Sequence, residues 1–484
     1  MKIARRAAPA VSARLSSHVA LEAQANGKIN ACFDGYSIGL GTFSAAAAER
    51  AQHLRFGLPL ASFASGARNI DKEIDLLVRR LARHGLLEYH LQHSQTDEDQ
   101  IVIEPQVADY WPRTPQLGNA DIVVLSRFAY MRRRGNEMVL ESPRAGALFK
   151  ICNPQITTTI AILSQPRQIN KLRRQDGFPG LAFLALLVDC QILFKIDTAR
   201  DGGLRPVEGD NNLVLWDFHD LLFHTRSTEG RQANPLGAVY AYAGVMPPLP
   251  AVRPRWPGKR IDLRKLVAAP SRAMSPVAKI LHERRSTRSF DDQSPITLAE
   301  LSRFLDNTAR VLSRWTSRAD FGGTGPLVTY AVRPYPSAGA SYELELYLGV
   351  EKCEGLTPGF YHYDAGTHAL ALIGARTQEF EALLTGAKFA MDAPAAPQIL
   401  IIIAARFGRI SWKYSSLAYA LILKDVGVLT QSLYLVATDL GLGGCAIGST
   451  NIDLFAKMTG IEFHVEGPVG QFALGRGLKS GTAG

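Results

Sequence analysis

One stretch, residues Arg409 to Gly448, decides the fold, and it reads RISWKYSSLAYALILKDVGVLTQSLYLVATDLGLGGCAIG. From Ser415 to Leu440 its apolar side chains are spread over every face of a helix, which is typical of a helix that is buried all round. The segment is too long for a strand, and Lys424, Asp425 and Gln431 interrupt its apolar character. We therefore predict the central helix of a soluble domain rather than a membrane span.

The two ends of this predicted helix carry its chemical groups. At its start, Lys413 and Tyr414 place an ammonium and a phenol side by side, and either group can serve as a general acid or base in a suitable environment. At its end, the run GLGGCAIG contains four glycines, which let the backbone turn sharply and approach another group closely. Each signal has an ordinary alternative: a solvated amine beside a half-buried ring, and a helix cap.

Composition limits the classes of protein to consider. With 484 residues, 46% of them hydrophobic, the chain can form two or three domains with real cores. The net charge of +10 is scattered, and its densest run, Arg132 to Arg134, precedes Gly135-Asn136 and is typical of a solvated hairpin tip. The five cysteines lack CxxC spacing, which favours a reducing compartment, and no signal peptide is evident. We expect a cytoplasmic protein with no membrane partner.

The first half of the chain has the pattern of small helical units with hairpins. Residues 71–84 place Ile74, Leu77, Val78 and Leu81 on one helical face, and a glycine stop and a short strand follow. A hairpin, three short helices and a strand between residues 127 and 196 suggest a second unit. We predict tandem winged-helix units at 1–110 and 111–215, a linker and domain junction at 216–270, and a third domain at 271–484.

The partner of these units stays open at this point. Winged helices most often bind DNA through a basic helix, but the helix at 71–84 has acid at its start and base at its end, which suits the helix dipole instead. The alternative is a peptide that adds as a strand to a hairpin edge. We therefore consider nucleic acid an unlikely partner. His219 and His224 lack a third ligand nearby, so we predict no metal site.

The second half gathers further candidates. Arg284-Arg285-Ser286-Thr287-Arg288 places three guanidinium groups and two hydroxyls together, which suits a phosphate. Thr297 and Glu300 form a capping box that opens a helix. The small-residue loop YPSAGAS at 335–341 lets backbone groups lie against a flat ligand. Strands at 345–350, 359–363, 368–373 and 397–405 interleave with helices, so the fold class is α+β.

Taken together, these segments resemble a known family. RRSTRSF, YPSAGASYELELYL, FYHYD, RISWKY, the apolar helix, GLGGCAIG and the closing LGRG occur in the order and spacing of the flavin-dependent nitroreductase fold. They resemble in particular its SagB/ThcOx/McbC branch, the azoline dehydrogenases of thiazole- and oxazole-containing peptide pathways. The resemblance covers residues 276–477. Two positions depart from the branch, since Val428 and Ser432 stand where it usually has histidine and asparagine.

The resemblance implies a homodimer that binds FMN at the subunit interface. Lys413 and Tyr414 match the pair to which the branch assigns catalysis, with either residue as the base. The positions that match the family's FMN contacts are Arg284, Arg285, Ser286, Arg288, Pro336, Ser337, Ala338, Gly339, Gln431, Gly443, Gly444 and Arg476.

The implied reaction is the dehydrogenation of a peptide thiazoline or oxazoline to the thiazole or oxazole. The implied partners are an azoline-containing precursor peptide and the cyclodehydratase of the same pathway, with the first half of the chain presenting the peptide. Two other functions stay open: a flavin reductase acting on a different substrate, and a peptide- or DNA-binding protein whose oxidase domain is structural.

Overall fold

The computed structural model describes residues 10–33, 35–64, 66–92, 98–175, 177–196, 212–231, 240, 242–255, 257–263, 274–319 and 324–478. The chain forms two compact units, Met1–Ala233 and Asn234–Gly484. The predicted linker at 216–270 lies partly outside the described residues, at 232–239, 241, 256 and 264–270.

The first unit combines three antiparallel sheets with short helices. Its strands are β1 Ala10–Leu15, β2 Ala20–Ala23, β3 Lys28–Phe33, β4 Tyr36–Thr42, β5 Leu58–Pro59, β6 Leu87–Gln92, β7 Ile101–Pro105, β8 Ile122–Leu125, β9 Tyr130–Arg134, β10 Glu137–Glu141, β11 Ala147–Ile151, β12 Arg167–Gln168 and β13 Leu193–Lys195. Its helices are α1 Ala45–Ala51, α2 Asn69–Arg83, α3 Gln155–Ile162, α4 Ile169–Leu172, α5 Leu181–Asp189 and α6 Phe218–Arg226. The sheets have the orders β5-β1-β6-β7-β11-β10-β9, β2-β3-β4 and β12-β8-β13.

Helix α2 has the amphipathic structure that its sequence predicts. Ile74, Leu77, Val78 and Leu81 are each fully buried in the core of the first unit. Gly85 follows with a φ of +66°, a left-handed conformation that glycine adopts at little cost, and β6 begins two residues later. The predicted helix, glycine stop and strand are confirmed.

The first unit differs from the predicted division in two places. The hairpin β9–β10 pairs with β11, which pairs with β7, so strands from both sides of residue 110 share one sheet. Helix α6 lies inside the predicted linker, but it belongs to the first unit, where Arg226 binds Glu141 of β10. Both differences come from long-range contacts that a local pattern does not encode.

The second unit is built on a six-stranded antiparallel sheet of order β18-β17-β16-β19-β21-β20. Its strands are β14 Ser313–Arg318, β15 Leu327–Val332, β16 Leu344–Val350, β17 Gly359–Asp364, β18 Ala369–Ile373, β19 Ile399–Arg406, β20 Gly443–Ile447 and β21 Glu466–Gly475. Its helices are α7 Pro276–Glu283, α8 Leu298–Thr308, α9 Thr377–Ala390, α10 Phe407–Ser411, α11 Ala418–Asp439 and α12 Ile452–Thr459. Antiparallel sheets with segregated helices confirm the α+β class.

Helix α11 corrects the prediction that the central helix is buried on every face. Its buried positions form one stripe: Ala418, Tyr419, Ile422, Asp425, Leu429, Leu433 and Ala437. Another side of the helix is exposed, with Val428 36% exposed, and Leu417, which precedes the helix, is 46% exposed. Composition gives a helix's apolarity but does not tell whether its own chain covers each face. By length and composition α11 is the one described helix that could cross a membrane, a test that core helices of soluble proteins also pass.

Candidate active site

The loop between β15 and β16 is the structural centre of the site. It contains a short helical turn, Ala338–Ala340, in which Gly339 has a φ of +56°. Asp425 of α11 holds the start of this turn, because one of its carboxylate oxygens accepts hydrogen bonds from the Ser337 hydroxyl at 2.8 Å and the Ala338 N–H at 2.9 Å. Asp425 lies 88 residues from Ser337 in sequence. Helix α11 therefore fixes the position of the loop.

Lys413 and Tyr414 approach the same loop from the other side. Both follow α10, and their backbone N–H groups bond to the carbonyl of Ile410, so they leave that short helix in a fixed geometry. The Lys413 ammonium donates a hydrogen bond to the Gly339 carbonyl at 3.0 Å and lies 5.5 Å from the centre of the Tyr414 ring. A Cβ at Gly339 would come within 3.0 Å of the Lys413 ammonium and the Tyr414 hydroxyl. The two predicted catalytic groups thus converge on a glycine.

A cavity of about 310 Å³ opens beside this convergence. Tyr330, Gly339, Arg409, Trp412 and Lys413 contribute to its wall. Arg409 is fixed by a hydrogen bond from its Nε to the Ser341 carbonyl at 2.9 Å, so its guanidinium supports the loop. A larger, polar cleft of about 610 Å³ shares Tyr330, Ser341 and Arg409 with this cavity. A small molecule or an extended chain can reach the lysine through these openings.

The arginine segment lies against the far end of α11. Ser286 forms a parallel bridge with Gly444 of β20, and its hydroxyl lies 2.9 Å from the Tyr434 hydroxyl. The Arg284 guanidinium lies 5.0 Å from the centre of the Tyr434 ring. Arg285 contributes to the wall of a cavity of about 530 Å³ that Tyr434 also lines. Tyr434 therefore organises the segment that the sequence predicts to bind phosphate.

The charges of this segment are available to a ligand. Arg285 and Arg288 are exposed, and neither forms an ion pair within the part of the chain that the structure describes. Arginine guanidinium groups bind phosphate oxygens in bidentate fashion, so an unpaired cluster of this kind is a suitable donor set for a phosphate.

Gly443 and Gly444 have a steric explanation within the chain itself. A Cβ at Gly443 would come within 3.0 Å of the Thr287 side chain, and a Cβ at Gly444 would come within 3.0 Å of the Phe472 ring. Both residues lie in β20 and line the cavity beside Arg285. They are needed first for close packing, whatever the cavity binds.

The remaining predicted FMN contacts are Arg476, Gln431 and Pro336. The guanidinium of Arg476 binds both carboxylate oxygens of Glu300, at 2.8 and 2.7 Å, and its Nε donates to the Ser294 carbonyl. Its charge is therefore already neutralised by a protein partner. Gln431 and Pro336 are exposed, Gln431 on the exposed side of α11.

The predicted site residues fall into two groups along α11. The loop group includes the segment from Pro336 to Gly339 with Lys413 and Tyr414, and it is anchored at Asp425. The arginine group is anchored at Tyr434, nine residues further on, which is about 13 Å along a helix axis. A planar phosphorylated cofactor such as FMN fits these donors in kind: a glycine cradle at one end and free guanidinium groups at the other.

Sequence reasoning missed the residues that position the site. Asp425 was visible only as an interruption in an apolar helix, and Glu343 of the loop, which is fully buried, gave no signal at all. Burial and the neighbouring negative charge of Asp425 raise the pKa of Glu343 to about 7. Tyr434 and Arg409 stand in the motifs but carry no pattern that marks their contacts.

Comparison with known proteins finds a family match in each half of the chain. The family model described as "Cyanobactin oxidase ThcOx" matches residues 123–233, and the nitroreductase family model matches residues 281–476. A protein of Methanocaldococcus jannaschii that is named as a nitroreductase is 33% identical over 170 residues, which are 35% of this chain and 77% of that protein.

Solved structures give weaker matches. A protein of Ralstonia eutropha that is named as a nitroreductase is 23% identical, with a TM-score of 0.31, over 44% of this chain and 88% of that one. A chain of the E. coli microcin synthetase McbBCD complex with truncated pro-MccB17 bound is 20% identical, with a TM-score of 0.37, over 56% of this chain and 96% of that one.

Proposed function

The chain belongs to the nitroreductase family, and on that premise we propose that it is an FMN-dependent oxidase that converts peptide azolines to azoles. Its resemblance to SagB/ThcOx/McbC-type enzymes is confirmed by the two family matches, one in each half of the chain. The azoline substrate, the peptide and the cofactor are our inference from that family and from the site.

The convergence of Lys413 and Tyr414 on Gly339 is the observation that supports this chemistry most strongly. Aromatising an azoline removes a proton from Cα together with a hydride, so a base must lie beside the ring. Lys413 or Tyr414 takes that proton. Trp412 and Tyr330 supply flat walls for a five-membered ring in the adjoining cavity.

The described residues provide donors for FMN. Arg284, Arg285 and Arg288 would hold its phosphate, together with Ser286. The loop from Pro336 to Gly339 and the strand at Gly443 and Gly444 would hold the rest of the molecule. When bound, FMN supplies a two-electron acceptor for the hydride. Arg476 contributes indirectly, since its bond to Glu300 ties the end of β21 to α8.

A second copy of the chain completes the site in this proposal. Val428 and Gln431 are exposed on one side of α11, and Leu417, just before the helix, is exposed as well. A helix face with exposed apolar side chains that the described residues leave uncovered is suited to an interface. A homodimer would bury this face and bring Gln431 to the cofactor.

We further propose that the first unit binds the precursor peptide. Two sets of elements in it, α1-β5-α2-β6 and α3-β12-α4-α5-β13, alternate short helices with short strands, which supports the prediction of winged-helix units. On α2, Arg79 pairs with Asp75 at 2.8 Å and Arg83 with Asp109 at 3.5 Å. Because these arginines are engaged within the protein, a peptide fits the unit better than DNA. The source of the azoline would be a cyclodehydratase in the same, cytoplasmic, pathway.

The test is to incubate the purified protein, with added FMN, with a synthetic peptide that carries one thiazoline or oxazoline. We expect mass spectrometry to show the loss of two hydrogens per ring, dependent on FMN and on the leader portion of the peptide. An FMN-loaded protein that leaves both azolines unchanged but reduces another substrate would overturn the proposal in favour of a different flavin reductase. A protein that takes up no FMN would overturn it altogether.

A further inference from the structure

Ser337 is the point at which two acidic side chains meet. Its hydroxyl oxygen lies 2.8 Å from an oxygen of Asp425 and 3.3 Å from an oxygen of Glu343. It also accepts a hydrogen bond from the Tyr342 N–H at 2.9 Å. A serine hydroxyl has one proton to donate and two lone pairs that accept. Ser337 therefore serves one of the two carboxyl groups as a donor, and not both.

Asp425 is the group that receives this proton. The same carboxyl oxygen accepts the Ala338 N–H at 2.9 Å, so two donors converge on it. Among the described residues, the one donor left to the Glu343 carboxyl is its own backbone N–H, and its Oε1 has no hydrogen-bond partner. A proton on Glu343 matches the donors around Ser337 to the acceptors, because the Glu343 O–H then donates to the second lone pair of the Ser337 hydroxyl.

The surroundings of Glu343 also favour its neutral form. Its side chain is fully buried, Asp425 is only 6% exposed, and the buried Tyr335 hydroxyl lacks a partner among the described residues. The nearby cations are engaged elsewhere. Arg333 contacts the Leu344 carbonyl and Glu345. Arg409 donates to the carbonyls of Ser341 and Thr329. Burial, and next the charge of Asp425, raise the pKa of Glu343 from an ordinary 4.5 to about 7.

We propose that Glu343 is a protonated positioning residue, whose proton fixes Ser337 and so holds the loop on which Lys413 and Tyr414 converge. Glu343 donates to Ser337 and Ser337 donates to Asp425, so the three residues link the end of the loop before β16 to the helix α11. When Glu343 ionises, two carboxylates face one hydroxyl, and the hydrogen bond from Glu343 to Ser337 is lost. The importance of this loop for catalysis rests on the proposed function, whereas the proton on Glu343 does not.

The sign of the pH effect follows from the raised pKa. The folded protein holds this proton more tightly than the unfolded chain does, so its contribution to stability is complete below pH 4.5 and is lost as pH rises to about 7. Above that range the contribution no longer changes.

The test compares the melting temperature of the wild type with that of Glu343→Gln from about pH 5 to pH 8. Glutamine keeps an N–H donor for Ser337 and has no proton to lose. We expect the wild-type melting temperature to fall relative to the variant up to about pH 7 and the difference then to stay constant. Infrared spectroscopy should show a protonated carboxyl band in the wild type below neutral pH that is absent from the variant.

Glu351→Gln, which removes an acid just after β16, is the matched control and should run parallel to the wild type. Parallel curves for Glu343→Gln, with no carboxyl band to lose, would overturn the proposal. If Glu343→Gln does not fold, Ser337→Ala is the second variant to test. Removing the hydroxyl leaves the Glu343 O–H without its acceptor, so the infrared band of the protonated carboxyl should shift. An unshifted band would count against the proposal. No measurement here uses a peptide or FMN, so an inactive oxidase would refute the proposed function alone.

Discussion

The two ends of α11 hold their neighbours in opposite ways. At Asp425 the loop is locked by the protein's own hydrogen bonds, from Ser337 and Ala338 to the helix and from Lys413 to Gly339. At Tyr434 the arginine segment leaves Arg285 and Arg288 exposed and, within the described residues, without ion pairs. Polar groups that are hydrogen-bonded within the protein hold the local structure in place, while unpaired charges are accessible to a ligand. Under the proposed function, the loop end positions the reacting groups and the arginine end binds the cofactor.

The largest effect should come from Gly339→Ala. The new Cβ would collide with the Lys413 ammonium and the Tyr414 hydroxyl, and the φ of +56° is strained for alanine. Displacing groups by about 1 Å costs about 100-fold in rate, so we expect at least that loss in azole formation.

FMN content should be retained, because the arginine end is untouched. Gly386→Ala on α9, where a Cβ would meet nothing within 4 Å, is the control and should keep the wild-type rate. Equal rates for the two variants would show that the loop does not position the catalytic pair.

Asp425→Ala should cost stability at the locked end. It leaves two donors, the Ser337 hydroxyl and the Ala338 N–H, without their acceptor, and a buried unsatisfied donor costs about 1–3 kcal/mol. The free energy of unfolding from urea titration measures this loss. Asp425→Asn keeps an acceptor oxygen in place and should lose much less. The same cost for both substitutions would mean that the charge, and not the acceptor, anchors the loop.

Arg285→Gln should show the opposite behaviour at the open end. Its side chain is exposed and has no ion pair among the described residues, so we expect the melting temperature of the FMN-free protein to be unchanged. The Kd for FMN should rise about 10-fold, since one charge-assisted bond to phosphate is lost, and the loss should shrink at high salt.

Isothermal titration at two salt concentrations gives the Kd. Arg303→Gln, on α8, is a control for the removal of one positive charge. A Kd that rises equally in both variants would assign the effect to net charge rather than to a phosphate site.

Structural features that depend on neighbouring residues were predicted correctly from the sequence. The capping box of Thr297 and Glu300 is present with both of its bonds, and the four strands predicted in the second unit, which are β16 to β19, begin and end within two residues of their predicted bounds. Capping, periodicity and turn residues act over a few positions, so they can be read without a structure.

The contacts that organise the site act over much longer distances. Asp425 meets Ser337 across 88 residues and Lys413 meets Gly339 across 74, and no periodicity relates such positions. The prediction that α11 is buried on every face was wrong for a related reason, because a helix's apolar pattern does not say what covers each of its faces. The pairing of the β9–β10 hairpin with β11 likewise depends on the rest of the sheet and not on the residues of the hairpin itself.

The most direct test replaces Lys413 by alanine and Tyr414 by phenylalanine, singly, and follows azole formation from an azoline peptide in the FMN-loaded protein. General-base catalysis is worth about 100- to 10,000-fold, so we expect at least one substitution to slow the reaction by about 100-fold or more. Lys388→Ala, an exposed lysine on α9, should leave the rate unchanged. Wild-type rates in both single variants would contradict the assignment of the chemistry to this pair.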